Sequence, residues 1–281
     1  MIEFNKKNVK IHLVCGGDPN KKLMLFIHGF PEFWYSWRHQ IKEFSKDYFV
    51  VAIDQRGYGD SDKPIGIENY TVDKMTEDIK QLLEALGKRD IILVGHDWGG
   101  VIAWAFAANH AHFINKLIIL NAPHPIMGRE LRKKSWKQFL MSWYMIFFSL
   151  PYLPEIALQS NDYFIFDFSF RNGSGEPLFP SDQLEAYKYT FHKNSFTYPL
   201  NYYRAFIRQY PSTLPTPNYQ IKVPTLVVWG KKDKYLSSEL AQPFKYVDDL
   251  SVKYIDDCSH WIQMEKPLVV NQYIRQFLSK D

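Results

Sequence analysis

Asp97 stands in the stretch GHDWGG (residues 95–100), after the apolar run DIILV and before VIAWAFAANHA. Gly95 and Gly99 allow a sharp strand-to-helix turn that pushes residue 97 outward, next to a helix N-terminus where free amides and the dipole favour a carboxylate. An aspartate between strand and helix most often only caps the helix. Two further residues change the reading: Asp233 in VVWGKKDKYL and His260 in DDCSHWIQMEKP each follow an apolar, strand-like run. Singly, Asp233 is another loop carboxylate and His260 a helix-entry histidine packed on Trp261. Together, in the order nucleophile, acid, histidine, they make a triad.

An aspartate nucleophile has a definite chemistry. Serine displacing a leaving group from saturated carbon would leave an inert ether, whereas a carboxylate leaves an alkyl ester whose carbonyl belongs to the protein. Water deprotonated by His260 can cleave that ester, with Asp233 orienting the imidazole and stabilising its charge. The backbone N–H groups of Trp98 and of Phe30, in HGFPE, are the expected oxyanion donors. Substitution at sp3 carbon follows, and epoxides or alkyl halides are the candidate substrates.

The elements that must hold these residues are legible too. Strand candidates are residues 23–27, 49–53, 91–94, 116–120, 225–229 and 252–255, nearly continuous in hydrophobicity as parallel strands buried on both faces are. Between them lie helical patterns, the clearest over Val72–Leu86, where Met75, Ile79, Leu82, Leu83 and Leu86 form one stripe and Gly87 the stop. This predicts an α/β protein with a mostly parallel, doubly wound sheet. Residues 125–215 break the alternation with helix and loop rich in Tyr, Phe and Trp, and read as a helical cap inserted before the acid-bearing strand. Residues 1–124 and 216–281 then form the core domain, with ligands bound at the carboxyl ends of the strands.

Motifs and triad order resemble the epoxide hydrolases of the α/β-hydrolase fold nearly end to end. The matches are HGFPEFWYSWRHQI (28–41), DQRGYGDSDKP (54–64), GHDWGG and the Asp233 and His260 loops. SWYMIFFSLPYLPE and NAPHP look especially like the vertebrate epoxide hydrolase three and four subgroup and its invertebrate relatives. That resemblance implies two cap tyrosines that protonate the departing epoxide oxygen. Tyr203, just before Arg204 in PLNYYRAF, matches one, and Tyr144 in SWYMIFFSLP the other; Tyr202 and Tyr152 are the alternatives, and Arg204 is a structural partner. Haloalkane dehalogenases share the Asp and following Trp but usually carry Asn where this chain has Phe30. Fluoroacetate dehalogenases have Arg where it has Trp98. A non-enzymatic receptor for a lipophilic ligand on the same fold stays open, since such receptors commonly keep a triad.

Composition bounds the rest. The 281 residues are 46% hydrophobic and 23% charged, with 34 basic and 30 acidic side chains and a net charge of +4. No Lys/Arg cluster marks a nucleic-acid partner. Two cysteines, Cys15 and Cys258, suit reduced thiols in a cytoplasmic setting, and the first residues carry no signal peptide. His28 and His96, each beside a motif glycine, read as structural residues bonded to backbone. Asp60 and Asp62 read as loop-stabilising, and Cys258 as packing. No motif implies a cofactor, and no His/Cys spacing completes a metal site. Aromatic residues are 17% of the chain; most fill the core, and the remainder suggest an aromatic-lined cavity for a small lipophilic epoxide and water. The uncharged stretch 139–154 is too short to span a bilayer reliably. It reads as the lining of an apolar tunnel or as a patch in peripheral contact with a membrane.

Overall fold

Each of the six apolar runs becomes a strand in the computed structural model, which describes residues 9–209 and 219–279. Among the described residues the sheet has seven strands: β1 (Leu13–Gly16), β2 (Leu23–Ile27), β3 (Phe49–Ile53), β4 (Ile91–His96), β5 (Ile114–Leu120), β6 (Thr225–Gly230) and β7 (Leu250–Ile255). Their order is β1-β3-β2-β4-β5-β6-β7. All neighbours pair in parallel except β1, which runs antiparallel to β3 at the edge.

β1 was missed in the sequence for a physical reason. Its four residues LVCG are half-buried or exposed, so they lack the doubly buried signature of the central strands. In the centre, β2, β3 and β4 are buried at every residue. Alternate side chains serve opposite faces: Leu25, Val51 and Leu93 belong to one core, and Phe26, Ala52 and Val94 to the other.

The core helices are α1 (Arg38–Phe44), α2 (Val72–Ala85) and α3 (Trp98–Asn109), and near the C-terminus α10 (Ile262–Glu265) and α11 (Pro267–Leu278). The helix expected over Val72–Leu86 therefore closes one residue earlier, with Leu86 as its cap. Among the described residues, six helices lie between β5 and β6: α4 (Pro125–Lys134), α5 (Trp136–Met141), α6 (Trp143–Ser149), α7 (Leu153–Ser169), α8 (Ser181–Asn194) and α9 (Thr197–Gln209). α7 is interrupted at Ser160–Tyr163, where three successive residues take positive φ. The boundary expected at residues 215–216 lies outside the described residues. No helix among the described residues is long and apolar enough to cross a membrane.

Candidate active site

Phe30, Asp97, Asp233 and His260 all sit just beyond the carboxyl ends of parallel strands, on loops after β2, β4, β6 and β7. That is where this architecture leaves a crevice. Asp97 has φ 50° and ψ −121°, a left-handed conformation that a non-glycine residue holds only when its surroundings enforce it. The enforcement is close packing. A Cβ at Gly99 would collide with the Ile27 carbonyl, and one at Gly95 with the Gly99 carbonyl, so helix and strands meet only because both residues are glycine.

Asp97 occupies the N-cap position of α3, yet its side chain makes no cap hydrogen bond. One carboxylate oxygen, Oδ1, instead accepts the Phe30 amide at 2.8 Å. The other, Oδ2, faces His260 Nε2 at 3.5 Å. Trp98 opens α3, so its amide is among the first-turn donors with no intrahelical acceptor.

His260 Nδ1 donates to Asp233 Oδ2 at 2.7 Å. Asp233 is itself fixed: its Oδ1 accepts the amides of Tyr235 and Leu236, and its Oδ2 accepts the Asn121 side-chain amide at 2.6 Å. Asn121 stands at φ 41° just after β5 and also accepts the Gly230 amide, tying the ends of β5 and β6 together. Sequence reasoning treated Asn121 only as part of a motif. Its position next to the acid comes from strand adjacency, which the chain order hides.

The electrostatics follow from this geometry. Burial pulls the His260 imidazole down, but the Asp233 and Asp97 carboxylates on either side reverse this and raise it to about 10. Burial pushes the Asp97 carboxyl up, but the hydrogen bond and charge of His260, together with the Phe30 amide, hold it below its ordinary value. The free site is a carboxylate–imidazolium–carboxylate sandwich.

Beneath His260 lies a buried polar cluster. His96 Nε2 donates to the His260 carbonyl at 3.0 Å, and His96 Nδ1 lies 2.8 Å from Glu32 Oε2. Glu32 also accepts the Gly29 amide and the Gln263 side chain. His28 matches the expectation of a backbone-bonded residue, donating to the Gly29 carbonyl and accepting from the Gln55 amide. His96 bonds to a carboxylate as well as to backbone, and Glu32 was not singled out in the sequence.

A cavity of about 580 Å³ opens over the Asp97 carboxylate, and Tyr144, Tyr203, Tyr235 and His260 are among its lining residues. Tyr144 comes from α6 and Tyr203 from α9, with ring centroids 6.1 Å apart. Burial, then the Asp97 charge, raise both phenols well above their ordinary value. The alternatives lie elsewhere: Tyr202 donates to the Arg56 carbonyl at 2.8 Å, and Tyr152 is exposed. Arg204 is a structural partner, bonding the Leu150 carbonyl and Glu155. Tyr235, 5.4 Å from the His260 ring, was not anticipated; nothing in its local sequence sets it apart from other tyrosines.

Asp62 accepts the Lys10 amide and Asp60 pairs with Lys193 of α8, so both brace the loop. Both cysteines are free thiols, and Cys258 is buried in the core.

A mostly parallel sheet of this order, with a carboxylate at positive φ on the strand-to-helix elbow and a His–Asp pair on later loops, is the arrangement of the α/β-hydrolase fold with an acid at the elbow. Residues 22–267 match the α/β-hydrolase fold family. Epoxide hydrolase 1 of Caenorhabditis elegans is 42% identical over 98% of this chain and 69% of its own length. Epoxide hydrolase 4 of Homo sapiens is 38% identical over 100% of this chain and 78% of its own. A variant of a Bacillus megaterium epoxide hydrolase, solved with its product, a naphthyloxy-propanediol, superimposes with a TM-score of 0.89 at 33% identity, covering 97% of this chain and 98% of that one. The chain belongs to the α/β-hydrolase fold family and, within it, to the epoxide hydrolases.

Proposed function

We propose that this chain opens small lipophilic epoxides to vicinal diols through an alkyl ester on Asp97, with helices α4–α9 as a cap over a core formed by the flanking segments. Asp97 Oδ2 attacks an oxirane carbon, the carbon–oxygen bond of the ring breaks, and the ring oxygen takes a proton from Tyr144 or Tyr203. The His260 imidazolium then gives its proton to the phenolate, and the neutral imidazole accepts a proton from the water that adds to the ester carbonyl. The oxyanion forms at Oδ1, against the amides of Phe30 and Trp98. Collapse breaks the bond from the carbonyl carbon to Oδ2, the departing alkoxide takes the remaining proton of the added water, and the diol leaves with one water oxygen in the Asp97 carboxylate and the imidazolium restored.

The observation that carries this reading is the shared position of the Asp97 charge. It faces His260 at 3.5 Å and also raises both tyrosines. Esterification removes that charge, which makes His260 easier to deprotonate and the tyrosines easier to ionise. One bond-forming event thus readies the acid for the first step and the base for the second. The aromatic cavity and the diol bound by the B. megaterium relative support an apolar epoxide as substrate. Halide would leave without an acid, so two tyrosines beside the carboxylate favour an oxirane.

The test is a single turnover of an aryl epoxide in heavy-oxygen water, followed by mass analysis of the peptide containing Asp97. The expected result is label in the carboxylate. Label confined to the diol means direct attack by water and overturns the two-step scheme. His260→Gln should accumulate the alkyl adduct.

A further inference from the structure

We propose that the outer face of the cap docks on an anionic lipid surface, with the substrate cavity opening into the apolar phase. This rests on the apolar-epoxide reading above. From α5 through the start of α7, apolar side chains recur every three or four residues on the outside of the protein. Trp136, Trp143 and Ile146 are 72%, 64% and 58% exposed, and Ile156 on α7 is 66% exposed. This periodicity normally marks the buried stripe of a helix; here the stripe is turned to solvent. The face is continuous with the cavity, because Leu140, Trp143, Phe164 and Phe168 both line the cavity and are largely exposed.

Charge identifies the partner. Residues 131–154 contain no Asp or Glu; of their cations, Arg132 is turned inward over the Phe206 ring, which leaves Lys133 and Lys134 to face outward. Lys133 and Lys134 are exposed at the end of α4, immediately before Trp136, and make no salt bridge among the described residues. Arg171 and Lys234 stand at the cavity. The acids of α7 are already engaged, Glu155 by Arg204, and Asp162 and Asp167 by Lys188. A second copy of this chain, docking the same face on itself, would set these cations against cations. A leaflet of anionic headgroups over hydrocarbon matches both features: Trp and Leu enter the interface while Lys stays at headgroup level. An epoxide dissolved in the leaflet would then reach Asp97 without crossing water.

Flotation with phosphatidylcholine vesicles, with and without phosphatidylserine, tests this. Binding should require phosphatidylserine, and brominated acyl chains should quench tryptophan emission. Lys133→Gln with Lys134→Gln should weaken partitioning about 25-fold, at about fivefold per lysine. Trp136→Ser with Ile146→Ser and Ile156→Ser should abolish binding while leaving turnover of a water-soluble epoxide in vesicle-free buffer unchanged, none of the three lining the cavity. Absence of vesicle binding by the unmodified chain overturns the proposal, as does a dimer in sedimentation equilibrium that the triple variant dissociates. Turnover in vesicle-free buffer tests the epoxide reading separately, so loss of one result leaves the other legible.

Discussion

Replacing Asp97 by Asn keeps the shape of the elbow and removes one negative charge, as esterification would. His260 Nε2 lies 3.5 Å from Asp97 Oδ2. With an effective dielectric constant of about 20, Coulomb's law gives about 5 kcal/mol for this pair, or roughly three decades of proton affinity. The imidazole, held at about 10 in the free protein by Asp233 and Asp97 against burial, should therefore titrate in the neutral range in Asp97→Asn. The sign follows from the charge: without the carboxylate the imidazolium loses a stabilising neighbour, so its proton leaves at lower pH. The measurement is an NMR titration of the His260 Cε1–H resonance, assigned by its loss in His260→Gln, with intact mass confirming that residue 97 remains an amide. A resonance that still titrates within one decade of the unmodified protein would refute the argument that nucleophile and base are coupled through one charge.

Two other outcomes follow from the same geometry. Tyr203→Phe and Tyr144→Phe should each slow formation of the alkyl-enzyme about 10- to 100-fold, and the double variant more, within the range of a lost general acid; Tyr202→Phe, which loses only its bond to the Arg56 carbonyl, should cost about 1 kcal/mol of stability and leave that rate alone. Stopped-flow burst kinetics beside thermal unfolding separate the two, and an unslowed burst in the double variant would remove the tyrosines from the mechanism. Gly29→Ala would place a Cβ 2.5 Å from Asp97 Oδ1, so a folded variant should lose at least about two orders of magnitude in turnover through displacement of the carboxylate; circular dichroism with a turnover assay checks it, and near-normal activity would show that the elbow has slack.

The local sequence determined the central strands, the glycine-bounded elbow and the order of Asp97, Asp233 and His260, because each depends on residues a few positions apart. A strand buried on both faces advertises itself by an unbroken apolar run, and an elbow by its glycines. β1 escaped because a short edge strand buries little and so carries little pattern. What only the tertiary structure decided is which side chains meet. Tyr202 and Tyr203 are adjacent in sequence, yet the turn of α9 sends one to the Arg56 carbonyl and the other to the cavity. Asn121 and Glu32 take their places beside Asp233 and His96 through contacts 112 and 64 residues apart. The solvent-facing apolar stripe from α5 to α7 has the same periodicity as a buried one. Periodicity reports that a helix has two faces; only packing decides which of them meets water.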